Sequence, residues 1–247
     1  MTKPRVALVT GGSRGIGREI CLALAHEGMS VALSYNSSLA SAEEAKAEME
    51  RSGGQALILK ADVCDENDIV NLIRQTVERF GSLDILVNCA GVLALDPIET
   101  MSAQAWHRVM DTNLTSCFLA IREALPYLKK SPSPRIINIS SQAAFTGTSQ
   151  RAHYAASKAG MLGLTYSLAK ELGPFGITVN TVSPGRVDTE ILAYGSAEKR
   201  KEWLAVTPLN RFGTTGEIAS AVSYLASEGA GYITGANLNV NGGMLMG

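Results

Sequence analysis

Tyr154 and Lys158 stand four residues apart in a segment with helical spacing, so we expect their side chains to share one face. A phenol releases its proton reluctantly near neutral pH, and a neighbouring ammonium stabilises the phenolate. Such a pair can act as a general acid or base. Ser141 lies thirteen residues before Tyr154, after a predicted strand, where its hydroxyl could hydrogen-bond a carbonyl. A Tyr-x-x-x-Lys pair alone also suits an ordinary exposed helix face, but the three residues together predict carbonyl chemistry.

A glycine-rich segment, Thr10 to Gly17, follows the first apolar run and opens a helical pattern. Glycines there permit a tight turn and let the backbone approach a pyrophosphate, which also meets the helix N-terminus. The spacing is neither G-x-G-x-x-G nor a P-loop, so the turn alone is weak evidence. Its position between strand and helix nevertheless predicts a nucleotide cofactor, held by Gly11, Ser13, Arg14, Gly15, Ile16 and Gly17.

The end of the second predicted strand separates the two nicotinamide cofactors. NAD sites usually place a carboxylate there for the ribose 2′-hydroxyl. Residues 31–42 contain no acid; Asn36 and Ser37 stand at the strand end, and Arg14 lies in the glycine-rich turn. A guanidinium matches phosphate geometry, so the pattern favours NADP(H), although Arg14 could also be simply solvated.

Short runs rich in Val, Ile and Leu alternate with longer helical segments, which predicts an α/β fold. The predicted strands are Arg5 to Val9, Val31 to Tyr35, Ala56 to Lys60, Ile85 to Val87, Arg135 to Ile139 and Thr178 to Val182. The predicted helices are Gly15 to Glu27, Ser41 to Arg51, Asp65 to Phe80, Ser102 to Lys130 and Tyr154 to Leu172. We expect one Rossmann-type domain over 1–247 with a doubly wound parallel sheet flanked by helices on both faces. Its cofactor half spans about 1–135 and its catalytic and substrate half about 136–247.

Composition excludes several classes of function. The 22 basic and 23 acidic residues give a net charge of −1, which offers no reason to expect nucleic acid or an anionic membrane as partner. No run approaches the ~20 apolar residues of a membrane span, and no secretion signal is evident. The four cysteines are widely spaced, which predicts reduced thiols in the cytoplasm. His26, His107 and His153 do not cluster with acids or cysteines, so no metal site is expected.

The motifs in order resemble the short-chain dehydrogenase/reductase family over essentially the whole chain. They are Thr10 to Gly17, Asn88 to Gly91, Asn113, Ser140-Ser141, Tyr154 to Lys158 and Pro184-Gly185. Within the family the likeness is greatest to 3-oxoacyl-acyl-carrier-protein reductases, whose C-terminal signature is similar to Tyr232 to Gly235 and Asn239 to Met244.

The resemblance implies roles for individual residues. Tyr154 would donate a proton to the carbonyl oxygen, Ser141 would orient that carbonyl, Lys158 would assist Tyr154 and hold the nicotinamide ribose, and Asn113 would anchor a proton-relay water. Asp62 and Val63 would frame the adenine. The remaining implied cofactor contacts are Asn88, Ala90, Gly91, Ile139, Pro184, Gly185, Val187 and Thr189.

Three residues depart from the expected pattern or invite a second role. Cys89 replaces an asparagine of the family motif, and we interpret it as a small buried residue rather than a reactive thiol. Arg186 stands where an apolar or aromatic residue is common; it could face an anionic substrate, a cofactor phosphate or a surface ion-pair partner. We expect His153 to be an exposed histidine at a helix start rather than a substrate contact.

The substrate is the least determined feature. We expect substrate contacts from Ser141, Gln142, Arg151, Tyr154 and Arg186, with an apolar lining that includes Leu93, Leu95, Phe145, Ile191, Leu192 and Trp203. The leading hypothesis is NADPH-dependent reduction of a 3-oxoacyl thioester, carried on CoA or on acyl carrier protein. Lys129 and Lys130 match one basic docking position of carrier-protein reductases, whereas Phe175 occupies a second.

Two alternatives stay open beside this hypothesis. One is NAD(P)-dependent oxidation of a sugar, polyol or cyclic alcohol. The other is a non-catalytic NADP(H)-binding sensor or scaffold, against which the intact Ser141, Tyr154, Lys158 and Asn113 argue. The family resemblance also implies a homotetramer.

Overall fold

A sheet of parallel strands forms the centre of the computed structural model, which describes residues 3–189 and 196–246. In this part of the chain seven strands pair in the order β3-β2-β1-β4-β5-β6-β7. They are β1 (Val6–Val9), β2 (Ser30–Tyr35), β3 (Gln55–Lys60), β4 (Ile85–Asn88), β5 (Arg135–Ile139), β6 (Thr178–Pro184) and β7 (Asn237–Val240). The predicted doubly wound α/β fold is confirmed.

Helices cover both faces of the sheet. They are α1 (Gly15–His26), α2 (Leu39–Arg51), α3 (Glu66–Phe80), α4 (Ala103–Met110), α5 (Ser116–Leu128), α6 (Ala143–Thr146), α7 (Ala152–Leu172), α8 (Ala197–Ala205) and α9 (Thr215–Ala226). One core packs α1, α2 and α9 on the sheet through residues such as Leu24, Met49 and Val222. The other packs α3, α5 and α7 on the opposite face through residues such as Leu72 and Ile121. With both faces covered, every residue of β1, β4 and β5 is buried, which explains their largely apolar sequences.

The structure corrects the predicted elements in three places. A seventh strand, β7, and the helices α6, α8 and α9 were not predicted. The predicted helix from Ser102 to Lys130 is divided: α4 and α5 are joined by a π-helical turn, Asp111–Thr115. Such turns are rare and recur at functional sites, and this one contains Asn113. β6 extends two residues further than predicted and ends on Pro184.

The strand order reverses between β1 and β4, because β2 and β3 lie on one side of β1 and β5 to β7 on the other. In such sheets ligands bind in the crevice outside the carboxyl ends of the strands at this point. The glycine-rich turn follows β1, and the segment Asn88 to Gly91 ends β4, so both lie at this crevice. No helix in the described ranges is long and apolar enough to cross a membrane.

A buried chain of polar side chains joins β4, β5, α7 and β6. Asn88 Nδ2 donates to Asn138 Oδ1 at 2.8 Å, and Asn138 Nδ2 donates to Thr165 Oγ1 at 2.9 Å. The Thr165 and Thr181 hydroxyls are themselves hydrogen-bonded at 2.8 Å. All four residues are almost completely inaccessible, so each polar atom depends on its neighbour for a partner.

We therefore expect Asn138→Ala to destabilise the protein by about 2–4 kcal/mol, because two buried hydrogen bonds are lost and the Asn88 Nδ2 group stays buried without its partner. Urea denaturation of the variant and of the exposed control Asn71→Ala measures the difference. We expect the control to stay within about 0.5 kcal/mol of the unchanged protein. Equal losses in the two variants would contradict this interpretation of the chain.

Candidate active site

The glycine-rich turn is packed so tightly that side chains are excluded from it. A Cβ on Gly11, whose φ is +66°, would lie 2.8 Å from the Cα of Ala90. A Cβ on Gly17 would collide with the carbonyl oxygen of Gly11. The backbone N–H of Gly11 donates to Ser34 Oγ at 3.0 Å, which ties the turn to β2. These contacts fix the turn against the segment that follows β4.

Within residues 3–189 and 196–246, space remains open directly in front of this turn. A Cβ on Gly15, whose φ is +54°, would meet only Thr189 Cγ2 among these residues, at 4.0 Å. Arg14 is exposed and forms the N-cap of α1, while Ser13 is buried and Ile16 partly so. The first N–H groups of α1 therefore face an open space bordered by Thr189, a geometry that fits a pyrophosphate.

The predicted adenine and ribose contacts lie along the ends of β2 and β3. Asn36 and Ser37 are exposed immediately after β2. Asp62 is exposed after β3, and its carboxylate accepts the N–H of Cys64 at 3.0 Å, while Val63 beside it is buried. The polar groups at the β2 end are thus free to reach a ligand, and Asp62 is held in a turn.

Lys158 occupies the middle of the site. Its Nζ donates to the carbonyl oxygen of Ile139 at 2.8 Å and lies 5.9 Å from the centre of the Tyr154 ring. A Cβ on Gly91 would come within 3.5 Å of the same Nζ. Lys158 is only 5% exposed, whereas Tyr154 is partly exposed. The ammonium is thus enclosed between the ends of β4 and β5 and the first turns of α7.

Asn113 braces this arrangement from the π-helical turn. Its Oδ1 accepts the N–H of Val92 at 2.8 Å, and its Nδ2 donates to the Val92 carbonyl and to Ser157 Oγ, both at 3.1 Å. Ser157 Oγ donates in turn to the Tyr154 carbonyl at 2.8 Å. Both N–H groups of the Asn113 amide are therefore engaged with protein groups, which leaves the second lone pair of its Oδ1, or its backbone, to bind a water.

Ser141 sits beside the end of β5 with its hydroxyl accepting the N–H of Ala143 at 3.1 Å. The neighbouring Ser140 donates its hydroxyl to the Lys158 carbonyl at 2.8 Å, which joins this loop to α7. Gln142 N–H donates to the Pro184 carbonyl at 2.9 Å, which joins it to the end of β6. Ser141 thus lies in a loop fixed on two sides, with its hydroxyl hydrogen available to a ligand.

The remaining predicted cofactor residues lie near the same edge with differing exposure. Ala90 N–H donates to Thr10 Oγ1 at 3.1 Å, and Gly185 is packed against Asn241. The side chain of Asn88 is turned into the sheet toward Asn138 and is unavailable to a ligand. Val187 is buried and pairs with Gly213 in an isolated bridge.

The expectation that His153 is exposed is wrong, because its side chain is completely buried. Its Nδ1 accepts the N–H of Tyr154 at 2.9 Å, and its Nε2 lies 2.9 Å from Asp96 Oδ2. These partners assign the proton to Nε2, which donates to Asp96. Asp96 N–H also donates to the Gln150 carbonyl at 2.8 Å. His153 and Asp96 therefore connect the segment after β4 to the backbone of Tyr154.

Two arginines border the same region, and neither forms an ion pair with an acid of the described residues. The guanidinium of Arg186 stacks on the ring of Trp203 at 4.5 Å. Arg151 is the N-cap residue of α7, three positions before Tyr154.

Of the predicted apolar lining, Ile191 and Leu192 lie outside the described residues. Cys89 is partly rather than fully buried, and desolvation of its thiol raises the pKa to about 12.

The described residues include no group of three His, Cys, Asp or Glu side chains placed to hold a metal ion. The polar groups that the described residues bring to the end of β5 and the start of α7 include the Ser141 hydroxyl, the Tyr154 phenol and the Lys158 ammonium.

Comparison with known proteins agrees with this geometry. Residues 11–245 match the family model described as enoyl-(acyl carrier protein) reductase. The 3-oxoacyl-[acyl-carrier-protein] reductase FabG of Staphylococcus aureus strain N315 is 43% identical over 246 residues, covering 100% of both chains. A short-chain dehydrogenase/reductase from Serratia marcescens is 40% identical with a TM-score of 0.92, covering 98% of each chain. A blue fluorescent protein from a metagenomic library, solved with NADPH, is 37% identical with a TM-score of 0.92, covering 99% of each chain.

The chain belongs to the short-chain dehydrogenase/reductase family. It is accordingly an oxidoreductase of the CH–OH/C=O type that uses a nicotinamide cofactor.

We expect His153→Ala to lower kcat about tenfold and to destabilise the protein by about 1–3 kcal/mol, since Tyr154 N–H and Asp96 lose their partner. Asp96→Asn keeps an acceptor for His153 Nε2–H and should retain most of the activity, whereas Asp96→Ala should resemble the His153 variant. Steady-state kinetics and urea denaturation measure both effects. An inactive Asp96→Asn that is stably folded would show that the negative charge, rather than the hydrogen bond, is required.

Proposed function

We propose that this oxidoreductase uses NADPH to reduce the ketone of a 3-oxoacyl thioester to the 3-hydroxyacyl thioester. The observation that carries the proposal is the position of Lys158, held by the Ile139 carbonyl at 2.8 Å beside the Tyr154 ring at the cofactor crevice. The full-length similarity to the Staphylococcus aureus reductase supports the choice of substrate class.

Tyr154 is the proposed proton donor. Its phenol lies in the first turn of α7, is partly exposed, and has the Lys158 ammonium nearby to stabilise the phenolate that forms. The Ser141 hydroxyl would donate to the carbonyl oxygen and fix its orientation. The nicotinamide, when bound, supplies the hydride. Lys158 would also hold its ribose, and Asn113 would anchor a relay water through its backbone.

We propose NADP(H) rather than NAD(H) because residues 31–42 contain no carboxylate and Arg14 lies in the glycine-rich turn. Arg14 and the exposed Asn36 and Ser37 would hold the 2′-phosphate. The pyrophosphate would meet Gly11, Ser13, Gly15, Ile16 and Gly17. Further contacts would come from Asp62, Val63, Ala90, Gly91, Ile139, Pro184, Gly185, Val187 and Thr189, and from the backbone of Asn88.

Docking of an acyl carrier protein is supported by Lys129 and Lys130, which end the long helical run and stay exposed. The ammonium of Lys129 lies 3.9 Å from the centre of the Phe175 ring. Phe175 therefore replaces a second positive charge by a contact that holds the first one in place. We propose that this surface still binds a carrier protein, with fewer ionic contacts than two basic positions would provide.

We propose one domain for residues 1–247, a homotetramer as its assembly and the cytoplasm as its location. The sheet runs without interruption through both halves of the chain.

A groove of about 420 Å³ between α5 and α7, lined by Leu114, Phe118 and Leu164, suits packing against a second copy. Cys21, Cys64, Cys89 and Cys117 are free thiols, which suits a reducing compartment.

Tyr154→Phe should lower kcat with an acetoacetyl thioester at least ~1,000-fold while NADPH still binds, because only the transferable proton is removed. Loss of NADPH absorbance with the CoA and the carrier-protein thioester measures activity, and fluorescence titration measures binding. Absence of turnover with both thioesters in the unchanged enzyme, despite clear NADPH binding, would reject the thioester proposal and favour polyols, cyclic alcohols or a non-catalytic role.

Asn36→Asp should raise the KM for NADPH about 10- to 100-fold and lower that for NADH, because a carboxylate repels the 2′-phosphate and accepts the 2′-hydroxyl. Arg14→Ala should weaken NADPH binding while changing NADH binding much less. Asn71→Asp on α3 makes the same chemical change at an exposed distant position and serves as the control. If Asn36→Asp and the control give the same cofactor preference, the proposed 2′-phosphate site is wrong.

A further inference from the structure

Arg151 and Arg186 approach the catalytic residues from two different elements. Arg151 begins α7 three residues before Tyr154, and Arg186 follows Pro184 and Gly185 at the end of β6. The hydrogen bond from Gln142 N–H to the Pro184 carbonyl, 2.9 Å long, joins the loop carrying Ser141 to the segment carrying Arg186. Arg151 thus lies close to Tyr154 in the chain, and Arg186 follows a segment that is hydrogen-bonded to the loop carrying Ser141.

Neither guanidinium is neutralised by an acid within residues 3–189 and 196–246. The Nε atoms of both Arg151 and Arg186 are buried and have no hydrogen-bond partner. Burial, and secondarily the positive charge of Arg151, lower the pKa of Arg186. Partly buried like charges without partners are unfavourable, which indicates that an anion completes the arrangement.

Three acids of the described residues have partners other than these arginines, and Glu190, four residues after Arg186, lies outside the described residues. The carboxylate of Asp96 is 2.9 Å from His153 Nε2, and that of Asp188 is 3.6 Å from Arg200. Glu217 accepts from Arg211 and from the N–H of Thr214. None of these three carboxylates is available to compensate Arg151 and Arg186.

Trp203 sets the orientation of the Arg186 guanidinium. The ring of this α8 residue lies 4.5 Å from the guanidinium carbon. Stacking on an aromatic face leaves the edge of the guanidinium, with its N–H groups, free to bind an anion bidentately. A planar carboxylate fits such an edge, and Arg151 would supply a second positive charge.

The 2′-phosphate of the cofactor is too distant to be this anion. Its proposed site is at the end of β2, and β1, β4 and β5 separate β2 from β6. Four strand spacings of about 4.8 Å place the two ends roughly 19 Å apart. The cofactor pyrophosphate has the first N–H groups of α1 as its proposed partners, which leaves an anion of the substrate for the two arginines.

We propose that Arg151, Arg186 and Trp203 form a subsite for a carboxylate of the substrate, so that the preferred 3-oxoacyl chain is itself anionic. This proposal rests on the proposed thioester reductase function and narrows its substrate class. The reacting ketone would lie at Ser141 and Tyr154, and the far end of the acyl chain would carry the negative charge.

The test compares two CoA thioesters that differ only in charge, 3-oxoadipyl and its terminal methyl ester, with NADPH as reductant. We expect the thioester with the free carboxylate to have a kcat/KM about 10- to 100-fold higher than that of its methyl ester. One charge-assisted hydrogen bond contributes a factor of about this size. Arg186→Gln and Arg151→Gln should each reduce this preference at least fivefold. Arg74→Gln, an exposed arginine paired with Glu78, removes the same charge elsewhere and should keep the preference. Equal rates for the two thioesters in the unchanged enzyme would overturn the proposal.

A binding measurement separates this proposal from the thioester assignment. Calorimetric titration of the NADPH complex with adipate, which has no ketone or thioester, should show binding that Arg186→Gln and Arg151→Gln weaken at least tenfold. Adipate binding without turnover of either thioester would retain the carboxylate subsite and reject the thioester substrate. If adipate does not bind, or if the two variants lose NADPH affinity instead, the subsite does not exist as proposed.

Discussion

The structure depends on enclosing one ammonium, that of Lys158, where no carboxylate in the described part of the chain neutralises it. A buried cation without an acidic partner is costly unless polar groups replace its lost water. The Ile139 carbonyl does so directly at 2.8 Å. This carbonyl is fixed because β5 lies between β4 and β6 in the sheet. The ammonium beside the Tyr154 ring thus has a main-chain carbonyl as its hydrogen-bond partner.

Hydrogen bonds also fix α7 relative to the sheet. They run through the buried polar side chains of Asn88, Asn138, Thr165 and Thr181. Hydrophobic packing alone specifies distance between a helix and a sheet but tolerates small rotations. Directional hydrogen bonds through the buried interface restrict such rotations, which would otherwise move Tyr154 and Lys158 relative to the cofactor crevice. The π-helical turn further restrains α7, since it brings Asn113 to the backbone of Val92 and to Ser157 of that helix.

Local sequence patterns predicted the structure correctly where a pattern is typical of one kind of element. The predictions failed where contacts between residues far apart in the chain determine the structure. The runs Val6 to Val9 and Ile136 to Ile139 are largely apolar because both faces are covered, and they predict buried strands correctly. β7 was missed because Asn237-Leu238-Asn239-Val240 is an edge strand with little apolar character. The start of α9 carries a signal that is readable in the sequence, the capping box from Thr214 to Glu217, so this helix could have been predicted. His153 could not be placed, because its burial depends on Asp96, 57 residues earlier.

The arginines of this protein fall into two groups that the sequence alone does not distinguish, those paired with an acid and those without an acidic partner in the described ranges. Arg211 is matched with Glu217, and Arg122 with Glu66 and Glu123, so their charges are compensated within the fold. Arg151 and Arg186 are partly buried without such a match in the described ranges. Evolution of a stable fold disfavours buried unmatched charge, whereas a binding site requires charge that only its ligand neutralises. The lack of an acidic partner for these two residues is therefore more informative about the substrate than any apolar residue of the lining, since apolar side chains accept many ketones.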